Sequence, residues 1–292
     1  MARKTITSAG IAASIGALCL CTLALYLNPG LVLRREAPAL FACLFLPWAA
    51  GGTLALALVA AAATVLRWWP RPFRPVIAGR PFFASLAFVA LAAVSSLYWH
   101  NLLGYRHALP LEALRALAAS SVVVTASAVV FLAIGIDMAL FPRRDRPLAA
   151  ALAVLAPAAA LAVPLALRPD PATPAPPVPV HLDAGRPARR VVVVGIDGLS
   201  PSDVAAARGG ELPAFARLAR RGAFSALATV RPTEGPPVWT TMMTGRLPRD
   251  HGITSASTYR LRFSDSEWAL LPKAALVGGL ERVGLASRRP VA

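Results

Sequence analysis

The chain has 292 residues, 57% of them hydrophobic, and a mean hydropathy of +0.59, which excludes a protein that is water-soluble along its whole length. Its formal charge is +16, yet all 30 basic residues except Lys4 and Lys273 are Arg, spread through short loops with no interleaved aromatic platform, so no nucleic-acid partner is expected. The three cysteines, Cys19, Cys21 and Cys43, sit inside apolar runs as small hydrophobes and leave none for a disulfide framework or a thiolate metal centre.

A helix that crosses a bilayer needs about 20 mostly apolar residues. Five segments qualify: Thr7–Leu27, Pro38–Leu66, Pro81–Trp99, Leu117–Leu140 and Leu148–Leu167. The second holds Pro47 and Gly51-Gly52, which predict a kink or tilt. Arg3 and Lys4 precede the first, as in a signal peptide, but no A-x-A cleavage site follows and more spans do. It is therefore expected to stay.

Placing the N-terminus in the cytoplasm puts Arg3, Lys4, Arg67, Arg71, Arg74, Arg80, Arg143, Arg144 and Arg146 on the inner side, against Arg34, Arg35, Arg106 and Arg115 outside. Five spans then carry everything after Leu167 to the periplasmic or extracellular face of the cell membrane. Trp68, Trp69, Tyr98 and Trp99 fall at span ends, where amphipathic aromatics belong. Asp137 is the one intramembrane acid, within snorkelling reach of Arg143 and Arg144, and His100 and His107 are read as loop residues facing solvent. This half reads as an anchor, with the lipid bilayer as its partner.

Three regions are expected: a membrane region over residues 1–167, a proline-rich linker over 168–189, and the start of an α/β domain over 190–292. The linker's dense prolines favour an extended spacer that would hold the next domain off the bilayer. Val191–Val194 then reads as a strand buried on both faces, ending at Gly195-Ile196-Asp197-Gly198. A short helix from Pro201, an amphipathic helix over Leu212–Arg221, a strand over Phe224–Val230, a helix over Pro236–Thr244 and another over Ala274–Val283 follow. Gly284–Val291 looks like the run-up to a strand. Alternating strand and helix implies an α/β sandwich.

Asp197, at the carboxyl end of the first strand and between two glycines, suits a divalent cation, where ligand chemistry gathers in open α/β sheets. The plainer role is capping the next helix. Downstream, Pro236 and Pro237 open a helix whose first turn is read as an anion cradle, and Trp239 is a natural packing residue.

GIDGLSP over residues 195–201, followed by PTEGPPVWTTMMTGRLPRDHGI over Pro232–Ile253, resembles the type I phosphodiesterase/nucleotide pyrophosphatase branch of the alkaline phosphatase superfamily. The resemblance covers about the last third of the chain and implies an alkaline phosphatase-like α/β sandwich. It also implies two divalent metals, usually zinc, acting on a phosphoester substrate through a Thr or Ser nucleophile and metal-activated water. By position Asp197 matches a metal ligand, and His251 matches a structural histidine rather than a ligand.

Two departures follow from the same alignment. The nucleophile position falls on Gly235, which leaves Thr233 just upstream as the nearest catalytic candidate, against the plain role of a turn hydroxyl. Beyond the linker the only histidine is His251, and Asp265 and Glu267 read as solvated, so the family's ligand set cannot be assembled from these residues. Whether the chain is itself an enzyme stays open. The expectation is a membrane-anchored, outward-facing, metal-dependent phosphodiesterase-like hydrolase with an incomplete sandwich, either the front of a longer protein or a degenerate member. Two alternatives stand beside it: an envelope phosphoethanolamine or phosphoglycerol transferase, and a non-catalytic pseudoenzyme.

Overall fold

The computed structural model describes residues 2–66, 80–141, 147–168, 192–206, 212–223, 225, 227–273 and 277–291. The proline-rich linker beyond Arg168, with its boundary near 189, lies outside them. So do Trp68, Trp69 and most of the arginines assigned to the inner side.

Five helices are long and apolar enough to cross a membrane: Ile6–Leu27, Leu33–Ala62, Phe83–Gly104, Leu111–Met138 and Pro147–Leu167. They lie within α1 (Ala2–Leu27), a continuous rod made of α2 (Leu33–Ala39), a π-helical stretch (Leu40–Phe45) and α3 (Leu46–Leu66), then α4 (Arg80–Gly104), α5 (Leu111–Leu140) and α6 (Pro147–Leu167). Several run past the apolar segments that predicted them. A helix continues for as long as its backbone can bond, whereas the apolar count reflects only membrane thickness.

The kink expected near Pro47 takes the form of the π-helical stretch, where the Leu46 N–H reaches back to the Phe41 carbonyl. Widening the turn between Pro38 and Pro47 relieves the clash of a proline ring with the preceding turn. In α6, Pro164 has no N–H to give the Ala160 carbonyl, and the Cys19 thiol approaches that oxygen at 3.7 Å.

The bundle packs α1 against α3 and α4, α4 against α5, and α5 against α6. Gly52 permits the first contact, since a Cβ there would lie 3.1 Å from Ala13 Cβ. Hydrogen bonds cross between helices: the Tyr26 hydroxyl donates to the Pro164 carbonyl at 2.5 Å, Ser127 donates to the Ala156 carbonyl at 2.9 Å, and Ser95 pairs with Thr125 at 2.7 Å. Tyr98 turns into the bundle. It is fully buried where α4 packs on α1, and its hydroxyl donates to the Cys19 carbonyl at 2.9 Å.

After the linker come α7 (Pro201–Ala206), α8 (Pro213–Arg221), α9 (Gly235–Thr244) and α10 (Pro248–His251), then β1 (Ser257–Leu261), α11 (Val277–Arg282) and β2 (Ala286–Pro290). β1 and β2 pair antiparallel, Ser257 opposite Pro290 and Leu261 opposite Ala286. They form the only sheet among the described residues. The run-up to a strand at Gly284–Val291 is therefore β2, whereas its partner β1 carries no sequence prediction.

The parallel strand predicted at Val191–Val194 is not formed by its described residues. Val192, Val193 and Val194 remain 83%, 74% and 77% exposed, because no neighbouring strand covers them. Residues 227–230, the described end of the second predicted strand, are likewise unpaired. A parallel sandwich is thus not what these residues build on their own.

The C-terminal segment does not stand off the bundle either. Leu261, Trp268, Leu271, Leu280 and Ala286 share a core with Leu31, Ala39, Leu40, Cys43 and Leu44. Polar contacts ring this core. Asn28 exchanges two hydrogen bonds with the Leu270 backbone, at 2.6 and 3.1 Å, and the Lys273 N–H donates to Asn101 Oδ1 at 3.0 Å. Buried Glu36 accepts from the Ser264 and Ser266 hydroxyls at 2.5 and 2.7 Å. With the Tyr105 hydroxyl, which donates to the Leu271 carbonyl at 3.2 Å, these contacts gather the α1–α2 turn, the end of α4 and the α4–α5 turn at one end of the bundle.

Candidate functional site

Residues 192–203 and the α9–α10 block meet at the motif residues. Gly198 takes φ +75°, a left-handed conformation that glycine adopts without strain, so the chain reverses directly after Asp197. The next helix is capped without Asp197. Asp203 Oδ2 accepts from the Ser200 N–H at 2.8 Å and from its hydroxyl at 2.7 Å, and the Asp203 N–H donates back to Ser200 Oγ at 3.3 Å. Donation from the Ser200 side chain holds the exposed Asp203 carboxyl below its ordinary range. Asp197 itself is exposed and has no hydrogen bond or ion pair among the described residues.

Its carboxylate points towards α9. A Cβ on Gly235 would lie 3.9 Å from Asp197 Oδ2 and 3.8 Å from Trp239 Cδ1, ordinary contact distances, so position 235 has room for a side chain. Gly195, by contrast, has none. A Cβ there would come 2.3 Å from the Trp239 ring, so the glycine ahead of Asp197 admits the indole and seats the turn against α9. Trp239 is thus the packing residue that orients the acid.

The first turn of α9 offers less to an anion than the sequence promised. Pro236 and Pro237 have no N–H, and the Val238 N–H donates to the Glu234 carbonyl at 3.1 Å. Gly235 N–H remains, together with the positive end of the helix. The Glu234 side chain does not cap this helix. It turns away to accept from the Ser255 hydroxyl at 3.2 Å and the Ala256 N–H at 2.5 Å. Thr233 is exposed in the stretch ahead of the helix, and its hydroxyl has no partner among the described residues.

His251 is engaged at both ring nitrogens. Nδ1 accepts from the Ile253 N–H at 3.1 Å, so in the neutral ring Nε2 carries the proton and donates to Thr241 Oγ1, also at 3.1 Å. Thr241 in turn donates to the Pro237 carbonyl at 2.8 Å. The histidine thus ties α10 to the start of α9, with Gly245 and Gly252 closing the two helices in left-handed conformations. Neither nitrogen is spare for a metal.

Asp265 and Glu267 do not join this site. Both are exposed, and Glu267 pairs with Arg289 at 3.3 Å. Among the described residues no group of three His, Cys, Asp or Glu could hold a metal ion. Asp197 supplies one donor, so the residues present do not fit a two-metal centre.

The sequence reading of His107 as a solvated loop residue is corrected. Its Nδ1 accepts from the Arg231 N–H at 2.8 Å, and its carbonyl accepts from the Arg249 N–H at 3.0 Å. These two bonds dock the motif block onto the α4–α5 turn. Burial, then the nearby Arg106, Arg249 and Arg231 charges, lower the imidazole pKa below its ordinary value.

A bundle of helices long and apolar enough to cross a membrane, bearing a glycine turn packed on a tryptophan helix, is the class these observations define. Residues 191–270, a little over a quarter of the chain, match the family model of type I phosphodiesterase / nucleotide pyrophosphatase, the family that the GIDGLSP and Pro232–Ile253 motifs resemble. The family is generally metal-dependent. Comparison with curated proteins and comparison with solved structures each give no match.

Proposed function

We propose that this is a multi-pass membrane protein, N-terminus in the cytoplasm, that presents a phosphodiesterase-family segment on the opposite face and acts on, or holds, a phosphoester. In the hydrolytic reading, water adds to phosphorus and the leaving alcohol takes a proton, giving a monoester from a diester. The observation that carries it is the unengaged Asp197 carboxylate set 3.9 Å from the place a Cβ would occupy at Gly235. That is where the family resemblance puts the nucleophile.

Asp197 is assigned as a divalent-metal ligand, with zinc the family's usual ion. Its partners within an alkaline phosphatase-like sandwich would have to come from residues other than those described. The glycine at 235 and the single donor favour a second reading, in which this segment binds a phosphoester without turning it over. Nothing in the structure favours the transferase alternative.

Equilibrium dialysis of zinc against the full chain in detergent, beside Asp197→Ala, tests the metal assignment. Bound zinc should fall with the substitution, while hydrolysis of a nitrophenyl phosphodiester by the unaltered chain should be slight. Unchanged zinc content in Asp197→Ala would remove the assignment, and brisk metal-dependent hydrolysis would remove the non-catalytic reading.

A further inference from the structure

Three arginines far apart in sequence converge on one residue of the α4–α5 turn. Arg106 precedes His107, the Arg231 main-chain N–H donates to His107 Nδ1, and the Arg249 main-chain N–H donates to the His107 carbonyl. Arg106 and Arg231 are exposed and form no ion pair among the described residues. Arg249 reaches only its neighbour Asp250, at 3.8 Å. Of the other acids nearby in the chain, Glu234 is occupied by Ser255 and Ala256, and Glu112 makes no ion pair among the described residues.

Because Nδ1 is an acceptor here, the neutral imidazole keeps its proton on Nε2, which has no acceptor among the described residues. The backbone bonds root Arg231 and Arg249 beside Arg106 at this turn, the charges of all three act on the His107 imidazole, and three such cations with one N–H donor are the chemistry of a phosphate site. The depth of the turn is set by its neighbours. Tyr105–Pro110 joins two helices of membrane-crossing length, Phe83–Gly104 and Leu111–Met138, so His107 sits at a headgroup layer whichever way the bundle faces.

We propose that Arg106, Arg231, Arg249 and His107 form a headgroup site for the phosphate of an anionic membrane phospholipid. The site needs only that α4 and α5 cross a bilayer. It does not depend on the metal at Asp197 or on any turnover.

The test uses the full chain in uncharged detergent micelles doped with phosphatidylglycerol or with phosphatidylcholine, and counts retained lipid by native mass spectrometry. Phosphatidylglycerol should be retained in preference to phosphatidylcholine, and Arg106→Gln should weaken that retention about fivefold, the effect of one basic residue near an anionic surface. Arg106 has no partner among the described residues, so this variant should fold even if the triple Arg106→Gln/Arg231→Gln/Arg249→Gln does not.

Arg34→Gln/Arg35→Gln, at the same end of the bundle, should leave the preference intact. An equal loss in that control would reduce the effect to general surface charge and overturn the site. Equal retention of both lipids, or unchanged retention in Arg106→Gln, would overturn it as well. Displacement of the lipid by millimolar inorganic phosphate would assign the cluster to free phosphate instead.

Discussion

Residues 255–290 and residues 192–230 lie in the same third of the chain, yet they fold to opposite degrees. The first segment closes a hairpin, buries Trp268 completely and shares a core with α1 and the α2–α3 rod. The second carries the stronger strand signal, the last three of the four consecutive valines at Val191–Val194, and leaves Val192, Val193 and Val194 in solvent. The contrast is one of partners. β1 and β2 find each other, and the bundle supplies their apolar floor. A parallel strand needs neighbours on both edges and cover on both faces, and no described residue provides them. Propensity nominates a strand; pairing makes one.

The most damaging change to the folded segment should be Trp268→Ala. It empties a fully buried site, removes the indole bond to Ser264 Oγ at 3.1 Å, and should cost about 3–5 kcal/mol. Thermal unfolding in micelles, paired with proteolysis of the C-terminal segment, reads that loss. Little change would mean the segment is not docked as described.

Glu36→Gln comes next. It keeps the shape but withdraws the charge that accepts from Ser264 and Ser266, at a cost of about 1–3 kcal/mol. The proteolysis assay should show earlier release of residues 255–290, with the bundle itself unaffected.

Acidification should give a smaller effect, confined to the α4–α5 turn. The folded His107 has a pKa below the ordinary 6.5, so its contribution is whole above that value and is lost as pH falls through the lowered one. Protonation at Nδ1 also removes the acceptor for the Arg231 N–H. Midpoints compared at neutral pH and near pH 5 should differ less in His107→Gln than in the unaltered chain. Equal differences would place the titration elsewhere.

The smallest effect belongs to the open segment. Val193→Thr should change stability by less than about 0.5 kcal/mol, as expected for an exposed residue. A large destabilisation would mean that the valines are covered in solution after all.

Much of this was legible from the residues. The apolar runs located all five long helices, and Gly222 and Gly245 marked the ends of α8 and α9. The motifs singled out Asp197 and the Pro236-Pro237 helix start, and the structure sets the carboxylate 3.9 Å from where a Gly235 Cβ would lie. Other features were hidden because they depend on distant partners. Nothing local marks Ser257–Leu261 as a strand, since its pattern of burial comes from β2 and from the bundle beneath. The docking through Asn28, Glu36 and Asn101 was missed for the same reason. Each is a polar residue near a helix end, where solvent is the default partner. The only signal was the placing of polar side chains just inside or beside apolar runs.

Asn28 and Asn101 reach the same short piece of backbone, at Leu270 and Lys273. Three residues of extended chain span at most about 10 Å, close to the usual distance between packed helix axes. The peptide from 270 to 273 therefore acts as a gauge set across the ends of α1 and α4. Any lateral spreading or vertical slip of these two helices must first break one grip of that gauge, so the C-terminal piece also disciplines the geometry of the bundle it sits on.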